Sequence, residues 1–90
     1  MLIFKVRFTD GSGSFITVHR DQYPAGSGIL MTCHTLEKLG VTEKNYRDVK
    51  KVSVRLAGNP DTEGGAIVGW EKIYLDYLKK KAWQNFSSMV

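Results

Sequence analysis

The segment from Leu2 to Phe8 constrains this chain most. Leu2, Phe4, Val6 and Phe8 alternate with Ile3, Lys5 and Arg7, and apolar side chains at every second position put one face of an extended strand on a core and the other in solvent. Such a strand needs neighbours to satisfy its backbone and a layer to cover its apolar side. Asp10–Gly13 has the composition of a turn and Phe15–Arg20 is rich in strand formers, so residues 2–20 read as a hairpin.

Residues 21–28 contain Pro24, Gly26 and Gly28 and read as a loop. Ile29, Leu30, Cys33, Leu36 and Leu39 then recur at helical spacing, with Ser27 placed to cap the helix and Gly40 where a left-handed residue ends one. Thr42–Asp48 reads as one further helical turn or a polar connection. Val52, Val54 and Leu56 alternate with Ser53 and Arg55 as a third strand, and residues 58–65 are the most loop-like stretch. From Ala66 onward, helical stepping gathers Ile67, Trp70, Ile73, Tyr74, Tyr77 and Leu78 on one face. A strand from Ala66 to Tyr74 competes with that helix, because Gly69 is poor in a helix interior. The expectation is a single α+β domain over residues 1–90, with an antiparallel sheet of at least three strands and helices on one face. Its order is ββαβα, or ββαββ with a C-terminal helix.

Ninety residues, 42% of them hydrophobic, suit one small domain. A domain of that size buries about 60–65% of its unfolded surface, which leaves little room for a core and a deep substrate cavity together. Catalysis is therefore not expected. The lone Cys33 excludes an intrachain disulfide and a multi-cysteine zinc site, and it fits a reducing compartment. Lys5 and Arg7 interrupt the first apolar residues too early for a signal-peptide core. No apolar run approaches the roughly 20 residues that cross a bilayer, so a cytoplasmic chain without membrane contact is expected.

No motif for a cofactor or a metal emerges. Pro24–Gly28 is glycine-rich before a helix, yet Ile29 and Leu30 stand where a phosphate loop needs Lys and Ser or Thr. Cys33 and His34 are helical neighbours pointing about 100° apart, which does not make a dyad; Cys33 fits the core instead. His19 and His34 lack companions for zinc, and Asp61–Gly64 lacks most ligands of a calcium loop.

What remains is charge and aromaticity. The net charge is +4, and residues 46–90 carry +3 of it. Arg47, Lys50, Lys51 and Arg55 form one basic cluster; Lys79, Lys80 and Lys81 form another, followed by Trp83 and Phe86. Five of the ten aromatic residues lie between Trp70 and Val90. Basic side chains interleaved with aromatic ones suit phosphate contact with base stacking, so these nine residues are the expected binding site of a non-catalytic module for nucleic acid. The alternative is a protein-interaction or inhibitor module docking through Trp83 and Phe86, a homodimer included. Small chains without a diagnostic motif are common among viral and mobile-element accessory proteins, which extends that alternative to them. A second candidate surface is the solvent face of the sheet, where Lys5, Arg7, Thr17 and His19 would gather if register allows.

Overall fold

The computed structural model describes residues 1–58 and 65–88, with side chains through Trp83. Its elements are β1 (Leu2–Phe8), β2 (Gly13–Val18), α1 (Gly28–Lys38), β3 (Val49–Leu56), β4 (Gly65–Ala66) and α2 (Trp70–Ser88). They form an antiparallel four-stranded sheet in the order β2-β1-β3-β4. The architecture is α+β, and the second of the two expected orders is the one adopted.

The alternation in β1 works as the sequence indicates. Phe4 and Val6 are buried, while Lys5 and Arg7 are exposed. Val6 faces Val52 across the strands and joins Cys33 and Leu36 of α1, Val41, and Trp70 and Tyr74 of α2 in one buried cluster. Both helices thus cover the same side of the sheet. Packing one buried aliphatic side chain in such a cluster stabilises by about 1.5–3 kcal/mol.

Local signals explain the turns. At the hairpin, Asp10 Oδ1 accepts from the Ser12 amide (2.8 Å) and hydroxyl (2.6 Å), and these bonds hold the Asp10 carboxyl below its usual range. A Cβ at Gly13 would lie 2.7 Å from the Val6 carbonyl oxygen, so that close strand approach requires glycine. Between α1 and β3, the Asn45 side chain bonds the Thr42 amide and the Gly40 carbonyl, at 2.7 and 2.9 Å. A 3-10 turn over Tyr46–Asp48 then leads into β3. Gly40 has φ +85, as a left-handed helix end demands.

Three expectations need correction. Ser27 does not cap α1: its hydroxyl donates to the Pro24 carbonyl at 2.5 Å, and its ψ of 32 is not the extended backbone of a cap. Ile29 and Leu30 are exposed, because the first turn of α1 lies outside the cluster that buries Cys33 and Leu36. The last helix starts at Trp70 rather than Ala66. Residues 65–66 pair with β3, and Gly69 at φ +77 turns the chain into α2. Of the expected loop at 58–65, residues 59–64 lie outside the described residues, as does the Asp61–Gly64 segment.

Candidate functional site

Register decides which charges meet. Ile3 stands between Thr17 of β2 and Arg55 of β3, Lys5 between Phe15 and Ser53, and Arg7 between Gly13 and Lys51. Directly opposed residues of antiparallel strands point to the same side. The side of the sheet away from the helices therefore carries Lys5, Arg7, Lys51 and Arg55, with Phe15 beside Lys5. No Asp or Glu occupies any of these positions. Arg7 lies directly opposite Lys51, a like-charge arrangement that costs stability in a sheet. Among the described residues none of the four cations takes part in an ion pair. Phe15 is 69% exposed, although burying it would be worth about 1.5–3 kcal/mol.

The Arg7–Lys51 end of this face carries two more of the expected residues. The register slips between Arg7 and Phe8, which pair with Lys51 and Val49, so Lys50 is the extra residue of a β-bulge. Arg47 sits in the preceding turn; its guanidinium lies 5.7 Å from the centre of the Tyr46 ring, and its Nε donates to the Tyr46 hydroxyl at 3.2 Å. His19 is exposed just past the end of β2.

The other expected cluster occupies the opposite layer. Lys79, Lys80, Lys81 and Trp83 belong to α2, which packs on the helix side of the sheet. Lys79 and Lys80 are exposed, and Lys81 Nζ pairs with Glu37 of α1 at 2.8 Å. Trp83 is 68% exposed. The Phe86 side chain lies outside the described residues. The nine expected residues thus fall into two groups separated by the sheet, and the sheet group gains Lys5, Arg7 and Phe15.

The aromatics of α2 before Trp83 are structural. Trp70 and Tyr74 are buried, and the Tyr74 hydroxyl donates to the Val41 carbonyl at 2.5 Å. Burial, with the Glu37 charge adding to it, pushes the Tyr74 hydroxyl up to about 12. Ring contacts run from Tyr23 through His34, Tyr77 and Tyr74 to Trp70, with centroids 5.8 to 6.3 Å apart at each step. The Tyr23 hydroxyl also meets His34 Nδ1 at 3.3 Å. Adjacency in sequence did not suggest this cluster, since Tyr23 precedes α1 by a glycine-rich loop.

Glu37 anchors the outer side of the ring ladder. Burial pushes its carboxyl up, but bonding to Lys81 and Tyr77 and the nearby His34 outweigh that and hold it below its usual value. Its Oε1 is buried, with no hydrogen bond of good geometry to it. Burial raises the Tyr77 hydroxyl, and the facing Glu37 carboxylate raises it further. Cys33 is fully buried, and burial followed by the Glu37 charge pushes its thiol up, away from the reactive thiolate. Among the described residues no three His, Cys, Asp or Glu side chains gather to share a metal ion, and no helix is long and apolar enough to cross a membrane.

Compared with known proteins, the chain matches no family model, no curated protein and no solved structure.

Proposed function

We propose that this protein is a non-catalytic module that binds single-stranded nucleic acid on the open face of its sheet. The observation that carries the reading is the composition of that face: four cations and an exposed phenylalanine in adjoining positions of three strands, with no acidic residue among them. The backbone phosphates of a bound strand would meet Lys5, Arg7, Lys51 and Arg55 and relieve the repulsion between Arg7 and Lys51. Phe15 would offer its ring to a base, a contact worth about 1–3 kcal/mol and tolerant of sequence. A flat sheet suits splayed bases better than the groove of a duplex, which admits a helix or a two-stranded ribbon. Lys50 and Arg47 add cations past the Arg7–Lys51 end, with Asp48 between them in sequence. Lys79, Lys80, Lys81 and Trp83 lie on the other layer, where the unpaired charges of Lys79 and Lys80 supply long-range attraction. The reading includes a cytoplasmic setting, for which the support is the lone unpaired thiol of Cys33.

Titration of a fluorescent single-stranded oligonucleotide tests it. Phe15→Ala is expected to weaken binding by about 1–3 kcal/mol with the fold intact, and Lys5→Glu with Lys51→Glu to abolish it at moderate salt. Equal affinity for all three proteins would refute the site.

A further inference from the structure

Phe15 has a particular set of neighbours on the open face. Lys5 lies directly opposite it, Arg7 and Ile3 lie one same-face position to either side of Lys5, and Thr17 follows two residues on in β2. Diagonal neighbours in a sheet are about 7–8 Å apart, within reach of a long side chain. Arg7 itself faces Gly13, where a Cβ would run into the Val6 carbonyl oxygen, so no side chain can stand there. The ground between the Phe15 ring and Arg7 is therefore bare backbone. Phe15 and Arg7 are both exposed, and among the described residues the Arg7 side chain has no hydrogen bond or ion pair.

The hydrogen-bonding groups around this spot are of one kind. At the open-face positions of β1 (3, 5, 7), β2 (13, 15, 17) and β3 (51, 53, 55) there is no Asn, Gln, Asp or Glu. Lys and Arg side chains only donate, and the hydroxyls of Thr17 and Ser53 bond to either kind of group. Such a surface fits a base edge that offers two adjacent acceptors and not one that must also donate. Guanine presents O6 and N7 together, whereas adenine sets an amino group beside N7, cytosine presents an amino group and thymine a single oxygen.

We propose that the base stacked on Phe15 is guanine, read by Arg7 across Gly13. This rests on the single-strand reading above and adds a base preference to it. The planar fork of Arg7 matches O6 and N7 with two parallel bonds, whereas Lys5 is a point charge suited to a phosphate. With five donors, Arg7 can hold the two acceptors of the base and a phosphate oxygen together. Ile3, on the other side of Lys5, is apolar and reads nothing.

Anisotropy titrations with a short thymidine oligonucleotide, and with the same strand carrying one central guanine, adenine or cytosine, test the proposal. The guanine strand is expected to bind the wild-type protein at least about fivefold more tightly than the other three. Arg7→Ala is expected to remove that preference. Lys51→Ala, which takes away the cation facing Arg7, is expected to weaken all four strands alike and leave the preference in place. Arg7 and Lys51 are both exposed, and either change removes a like-charge pair, so both variants are expected to fold. Equal affinity of the wild type for the four strands, a preference for another base, or a guanine preference that survives Arg7→Ala would overturn the proposal while leaving single-strand binding on the sheet intact. Absence of binding to any of the four strands would overturn the single-strand reading itself, and the proposal with it.

Discussion

The open sheet face and the outer half of α2 are both basic and both display an exposed aromatic, yet the fold treats their charges differently. On the helix, Lys81 is neutralised by Glu37, and Lys79 and Lys80 extend into solvent from the middle of α2. Of the three, Lys81 has a structural use. On the sheet, Arg7 faces Lys51 and, among the described residues, neither is in an ion pair, which raises the energy of the folded chain. A charge arrangement that costs stability points to a function more strongly than one that contributes to it.

The comparison extends along α2 itself. Trp70 is 4% exposed and belongs to the core cluster, whereas Trp83 is 68% exposed. Trp70→Ala is therefore expected to cost about 3–5 kcal/mol, enough to unfold a marginal domain near 37 °C. Trp83→Ala should cost less than about 1 kcal/mol. Equal losses in urea titrations would show that the outer half of the helix is as firmly packed as the inner half.

Tyr74→Phe probes the join between α2 and the end of α1. Deleting the hydroxyl leaves the buried Val41 carbonyl unsatisfied, for a loss of about 1–3 kcal/mol. The same hydroxyl gives the protein an alkaline limit. Its folded value near 12 lies above the usual 10, so between those values the unfolded chain releases a proton that the folded chain retains. Stability is then unaffected by this group below pH 10 and falls as pH rises from 10 to 12. Thermal melts should show that decline, and Tyr74→Phe should reduce it, leaving the part due to the raised Tyr77 hydroxyl. A wild-type midpoint constant across the interval would contradict the burial of the Tyr74 hydroxyl.

Smallest of all is the Lys81–Glu37 pair, whose side chains are 49% and 29% exposed. Lys81→Ala should cost about 0–1 kcal/mol. Because the Glu37 carboxyl is held below its usual value, that contribution is present above the ordinary carboxylate range and is lost as pH falls through the folded value. Acid titration of the wild type against Lys81→Ala checks this, and a loss of several kcal/mol would show the pair to be a structural anchor.

Much of the fold was legible because its signals are local. The alternation from Leu2 to Phe8 predicts the faces of β1, and Gly40 marks the end of α1. The periodic stripe of α1 correctly places Cys33 and Leu36 in the core. Periodicity does not report how far a core extends, and so Ile29 and Leu30, on the same stripe, are left in solvent. The start of α2 was ambiguous because Ala66 serves a two-residue strand that exists only through pairing with β3. The site was legible in halves. Lys5 and Arg7 share a strand face by period two, and Lys51 and Arg55 share one as well. That the two pairs adjoin depends on β3 docking beside β1, which no local pattern encodes. The basic residues that do cluster in sequence, Lys79 to Lys81, are separated from them by the sheet.

The central claim is that the open face, rather than the helix, contacts phosphate. Its most direct test is the salt dependence of binding to a single-stranded oligonucleotide. Each phosphate contact contributes about 0.7 to the slope of log affinity against log salt. Replacing Lys5, Arg7, Lys51 and Arg55 together by Ala should flatten that slope by about three units, whereas replacing Lys79, Lys80 and Lys81 should change it by less than about one. A larger change from the helix variant than from the sheet variant, with both proteins folded, would contradict the account.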